Sequence, residues 1–344
     1  MAQVDPEYLN CVVYIYKSER DARACEQFGG SGFLVAKPFR ENPEHYAVYA
    51  VTNNHVINKC PQTVAIRLNT IDGNADVIAT NPNDWMRHPS AADVRVIPIR
   101  PSGVHRYSMI PSAMFLSKEM MRDFNIGLGD DTFMVGRFVN HDGKQRNAPA
   151  LRFGNIAMMP TEPIKDRYGI DQESFLVECR SIPGYSGSPV FVKLAKPPVL
   201  AEATGPYGYI EPSAYIQPSG IGPLGPWLLG IDWCHLPNEE PIFNVQGSGR
   251  VRREDMVAQS NTAMAGVVPA WLLADLLDEE ELVRQRDEED AAITARKRQS
   301  VVVEDFAEKP AATQVTPAGA EIPIPTKEQF LDDLTKASRK IKPE

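Results

Sequence analysis

Short apolar runs broken by turn residues set the pattern of this chain. Residues 11–16, 32–35, 46–51, 63–68 and 94–99 are rich in β-branched and aromatic side chains and are separated by Gly, Pro, Asn and Asp. Such spacing predicts strands. A Pro- and Gly-containing stretch at 100–122 reads as a connection, and a second set of runs follows at 132–136, 151–157, 174–178, 189–193, 227–231 and 265–268. The pattern predicts an all-β fold of two consecutive antiparallel β-barrels, over 1–110 and 111–277. A cleft between two such bodies is where ligands commonly bind.

The period changes at Pro269, which opens a helix with Trp271, Leu272, Leu276 and Val283 on its apolar face. Residues 278–325 follow as a charged helix extension and then, from Ser300 to Pro325, a Pro-, Ala- and Thr-rich segment expected to be a disordered linker. In 326–344, Thr326 and Gln329 have capping-box spacing, and Phe330, Leu331, Leu334, Ala337 and Ile341 recur at helical spacing. This short amphipathic helix either docks on a protein partner or on the barrels, or frays in water.

The composition, 43% hydrophobic and 24% charged, is that of a soluble globular protein. A net charge of -9 disfavours nucleic acid as a partner, because phosphate binding needs a basic surface. No apolar run approaches the ~18–20 residues that span a bilayer, and no secretory signal is evident at the amino terminus. The five cysteines (Cys11, Cys25, Cys60, Cys179 and Cys234) have no metal-type spacing. They are expected to be reduced thiols in a cytoplasmic protein without metal or other cofactor.

Candidate chemistry centres on Ser186, in the run Gly184-Tyr185-Ser186-Gly187-Ser188-Pro189. Glycines on both sides permit a tight turn that holds a hydroxyl out. The same turn aims the N–H groups of Gly184 and Ser186 into one space, where an oxyanion would be held. A serine hydroxyl needs a base to become a nucleophile. His55, in Val51-Thr52-Asn53-Asn54-His55-Val56, is the candidate, since imidazole titrates near neutral pH. Asp93, at the head of the apolar run 94–99, is the carboxylate that would orient it. Asp84 is the rival, but it lies in the loop signal Asn81-Pro82-Asn83-Asp84.

The order His55, Asp93, Ser186 resembles that of the chymotrypsin/trypsin-like serine proteases, most closely the bacterial Deg (HtrA-type) branch. Gly30-Ser31-Gly32-Phe33-Leu34-Val35 is similar to that family's early strand, and 51–56 is similar to its histidine motif. The segment from Asp93 matches its aspartate strand, with Arg95 in place of a small residue. The segment 183–189 resembles its serine motif with Tyr185 and Ser188 substituted. The matches span roughly 8–275. The resemblance implies a trypsin-like double barrel and a serine endopeptidase acting on polypeptides through a His-Asp-Ser triad. It also implies a specificity pocket with Arg180 at its base, unless that side chain instead pairs with Glu178 or Asp232 or faces water, and a substrate-binding strand at Asp232 and Trp233. The PDZ module usual in that branch has no counterpart here, and Tyr185 argues against activation by a newly cut amino terminus. Arg95 needs a carboxylate partner if it points into the barrel. The long segment 196–226 is either a lid over the cleft or a solvent-facing insertion. Two other functions stay open: an inactive protease fold serving as a peptide-binding or scaffold module, and an adaptor acting through its terminal helix.

Overall fold

A computed structural model describes residues 3–26, 28–139, 141, 143–166, 169–179, 184–193, 225–246, 249–307, 313–315, 317, 319 and 321–323. The expected strands form where the β-branched and aromatic runs lie: β1 (Val12–Tyr16), β2 (Phe28–Pro38), β3 (Tyr46–Thr52), β4 (Val64–Asn69), β5 (Ala75–Thr80), β6 (Met86–Arg87), β7 (Arg95–Ile99) and β8 (Ile110–Pro111). They make one curled sheet in the order β5-β4-β1-β2-β3-β7-β6, with β8 beside β2. Its ladder does not close, so the first expected barrel is a curved open sheet. Ile15, Leu34, Ala50, Val56, Ile66 and Trp85 are buried in its core.

The second set does close. β9 (Asp131–Gly136), β10 (Ala150–Met158), β13 (Phe175–Glu178), β14 (Pro189–Lys193), β15 (Trp227–Gln246) and β16 (Gly249–Pro269) form a six-stranded barrel. A two-stranded hairpin, β11 (Ile164–Lys165) and β12 (Asp171–Gln172), branches off between β10 and β13. The barrel core gathers Met134, Phe175, Val177, Val190, Leu229 and Trp271. β15 and β16 are far longer than the apolar runs at 227–231 and 265–268, and they stay paired as far as Gln246 and Gly249. Polar composition and two prolines hid this ribbon from the pattern.

Both sheets belong to one compact unit, residues 1–287. Tyr8 packs edge-on against Phe133 and Phe191, with ring centroids 5.5 and 5.0 Å away. Arg137, after β9, lies over the rings of Tyr14 and Tyr16 on β1 and donates to the Tyr16 hydroxyl. Three short helices complete this part: α1 (Glu19–Ala24), α2 (Asn54–Ile57) and α3 (Lys118–Asp123). α4 (Ala270–Leu277) starts at Pro269 as expected and buries Trp271, Leu273 and Leu276.

α5 (Glu280–Ala307) runs past the expected helix end at 300, and β17 (Thr313–Val315) pairs with β18 (Glu321–Pro323) inside the segment expected to be linker. No proline interrupts the helix before Pro310, and an existing helix extends at little cost. A second unit spans 288–344. The terminal helix expected at 326–341, Arg180 and most of the segment 196–226 lie outside the described residues.

Candidate active site

His55 sits on α2, a single turn at the end of β3. Asn53 is the N-cap by position but does not cap with its side chain; its Nδ2 donates to the Asp93 carbonyl, at 2.8 Å. The Asp93 carboxylate is then shared. Oδ1 accepts the His55 backbone N–H at 2.9 Å, and Oδ2 lies 2.6 Å from His55 Nδ1. Asp93 is only 7% exposed, so this contact is sheltered from water, where charge-assisted hydrogen bonds are strongest. The geometry assigns the ring proton to Nδ1 and leaves Nε2 as the basic atom. The rival Asp84 is exposed in a short 3-10 turn, Pro82–Asp84.

Ser186 stands on the turn before β14. Gly184 and Gly187 adopt φ of 104° and 89°, the region that favours glycine. The turn is bolted on three sides. Gly187 N–H donates to the Asp232 carbonyl and Asp232 N–H to the Ser188 carbonyl, at 2.8 and 2.9 Å. Ser31 on β2 donates its N–H to the Ser186 carbonyl at 2.8 Å and its hydroxyl to the Gly184 carbonyl at 3.0 Å. Thr52, three residues before His55, donates to the Ser31 carbonyl at 2.7 Å.

Gly30 shows how close the segments come. A Cβ there would sit 2.9 Å from the Ser186 carbonyl oxygen and 2.9 Å from a methyl of Val56, the residue after His55. The turn and the histidine helix thus meet across one strand. Among the described residues, no hydrogen bond yet joins the Ser186 hydroxyl to the His55 ring, and the N–H groups of Gly184 and Ser186 are unengaged.

Gly187 gives a direct test of this assembly. An added Cβ would lie 2.0 Å from the Ser31 carbonyl and 2.4 Å from Thr52 Oγ1, on a backbone already unsuited to an L side chain. Gly187→Ala is expected to cost about 3 kcal/mol or more, read as a lower denaturation midpoint. An unchanged midpoint would mean that the turn is not held as described.

Both substituted residues of the serine motif are buried. Tyr185 is fully buried, accepts a hydrogen bond from Arg152 Nε at 3.2 Å and stacks its ring under that guanidinium. Burial pushes its phenol above the ordinary range. Ser188 is buried too.

Arg95 points inward, but its partners are neutral. It donates to the side-chain oxygens of Asn54 and Asn58, at 2.7 and 3.0 Å, and to the carbonyls of Pro82 and Trp85. The direct carboxylate partner expected from sequence is replaced by four oxygen acceptors, and the residue ties the strand after Asp93 to the histidine helix.

The two substrate-binding candidates on β15 are both buried. Trp233 is 6% exposed and donates from Nε1 to the Ser174 hydroxyl. Asp232 is 1% exposed, and among the described residues its Oδ1 has no hydrogen-bond partner. Burial raises the Asp232 carboxyl well above its ordinary value. The native state therefore binds a proton there that the unfolded chain has released. Stability falls as pH rises from the ordinary carboxylate pKa toward the raised one, and stays lowered above it. Asp232→Asn is expected to raise the thermal midpoint by a few degrees at neutral pH and by less near pH 4. A lower midpoint at neutral pH would contradict this.

All five cysteines are free thiols; Cys11, Cys60 and Cys179 are buried. Residues that sequence reasoning missed include Ser31, Asn53, Thr52 and Gln172. The last, on β12, accepts the Asp93 N–H at 2.9 Å.

No family model matches the chain, and no curated protein does. Solved structures similar to it include a protease domain and an HtrA-type protease. The MamO protease domain from Magnetospirillum magneticum aligns over 80% of this chain and 99% of its own, with 14% identity and a TM-score of 0.43. Rv3671c from M. tuberculosis, solved as an inactive Ser-to-Ala mutant, covers 80% of this chain and 95% of its own, with 13% identity and a TM-score of 0.39. The HtrA-type protease AlgW, solved with a decapeptide, covers 82% of this chain and 66% of its own, with 12% identity and a TM-score of 0.36.

Proposed function

We propose that the chain is a serine endopeptidase. The observation that carries this reading is the Asp93 carboxylate gripping both the backbone N–H and Nδ1 of His55, beside a glycine turn that presents Ser186. Asp93 fixes the imidazole with its free electron pair on Nε2. That atom would take the proton as the Ser186 oxygen attacks a peptide carbonyl, and would return it to the leaving amine. The unengaged N–H groups of Gly184 and Ser186 would hold the oxyanion. Water would then release the acyl group by the same steps in reverse. No cofactor enters this scheme; the partner is a polypeptide. The backbone of β15 after Asp232 would pair with extended substrate, and Arg180 would line the specificity pocket.

A second reading, an inactive fold that binds peptides, is favoured by one observation: the missing hydrogen bond between Ser186 and His55. Such bonds are often long before substrate binds. Incubating the full chain with a mixed peptide library separates the two. New peptide ends, absent with Ser186→Ala, support the endopeptidase. Intact peptides retained on the immobilised protein, with no cleavage, support the binding module.

A further inference from the structure

Asp93 sits in a strained loop. Ala91 adopts φ 62°, where residues other than glycine are rare. Directly after it, Val94 N–H bonds the Ala92 carbonyl at 2.7 Å, closing a very tight turn. Such a conformation persists only where its surroundings enforce it. Every polar group of Asp93 is in fact held. Asn53 takes its carbonyl, and His55 takes both carboxylate oxygens. The remaining group, its N–H, goes to Gln172.

Gln172 is only 2% exposed. Its Oε1 accepts from Asp93 N at 2.9 Å, while its Nε2 donates to the Ala91 carbonyl at 3.3 Å. One amide therefore spans the strained turn from end to end. Among the described residues it is the one hydrogen-bond partner of Asp93 from outside the first sheet, on the hairpin β11–β12 that branches from the barrel carrying Ser186. We propose that Gln172 is a positioning residue: it clamps the Ala91–Asp93 turn and so keeps the carboxylate aimed at His55. Its role in catalysis rests on the endopeptidase reading; its role in geometry does not.

Replacing Gln172 by methionine preserves length but leaves the Asp93 N–H buried without an acceptor and frees the Ala91 carbonyl. The turn relaxes and the carboxylate moves. A displacement of about 1 Å at a catalytic group costs on the order of 100-fold in rate.

The test compares full-length wild type, Gln172→Met and Gln172→Asn. One readout is the rate of labelling by a fluorophosphonate. The other is the low-field proton resonance of the His55 Nδ1–H, which needs no turnover. The expected result is labelling slowed about 100-fold in Gln172→Met, less in Gln172→Asn, with the resonance shifted or lost in both while near-ultraviolet circular dichroism stays native. Unchanged labelling and resonance in whichever variant folds overturn the proposal, as does failure of both to fold, which would make Gln172 a stability residue. If wild type is not labelled, the endopeptidase reading fails, and the resonance alone still decides whether Gln172 sets the contact.

Discussion

If the chain is the proposed endopeptidase, Ser186→Ala is expected to lower peptide hydrolysis by a factor on the order of 10⁶ while leaving the fold intact. Removing the nucleophile of such a triad costs about that much, because nucleophile and base act as one unit. Little structural cost is expected, since Ser186 is only partly buried. The turn is fixed by backbone bonds from Ser31, Gly187 and Asp232 that alanine keeps. Denaturation curves that coincide, with hydrolysis rates that differ by this factor, are the expected pair of measurements. Comparable hydrolysis by the two proteins would mean that another group attacks the substrate.

Asp93→Asn comes next, with an expected loss of about 10⁴-fold. The asparagine carbonyl oxygen takes over the bond from the His55 backbone N–H, now made by Oδ1 at 2.9 Å. Its amide NH₂ then faces Nδ1 where Oδ2 stood, 2.6 Å away. Nδ1 becomes an acceptor, and the ring proton moves to Nε2. An imidazole so protonated has no electron pair for the serine proton. Steady-state rates of the purified variant would show this. A loss of less than tenfold would show that Asp93 does not set the tautomer.

The strands and the three site segments were legible because their signals are local. A β-branched run makes a strand wherever it can bury one face, and Gly184 and Gly187 mark a tight turn whatever surrounds them. What holds the site together was not legible, because it acts over long separations through ordinary residue types. Gln172 meets Asp93 across 79 residues, and Ser31 meets Gly184 across 153. Nothing in a lone glutamine or serine announces such a partner. Arg95 was recognised as unusual, but its acceptors Asn54, Asn58, Pro82 and Trp85 are set by how α2 packs against the turn at Pro82–Asp84. Burial of Asp232 and Trp233 follows from how the assembled strands pack, which no local run of sequence reports. The β15–β16 ribbon is hidden for a local reason: Pro237, Pro241 and the charged run 250–255 interrupt any strand pattern there.

Intact-mass analysis after fluorophosphonate treatment shows whether His55 and Asp93 make Ser186 nucleophilic. One covalent adduct per chain, mapped by peptide sequencing to Ser186 and missing from Ser186→Ala, is the predicted result. An unmodified chain under conditions that label a control serine protease, or an adduct on a different residue, would contradict it.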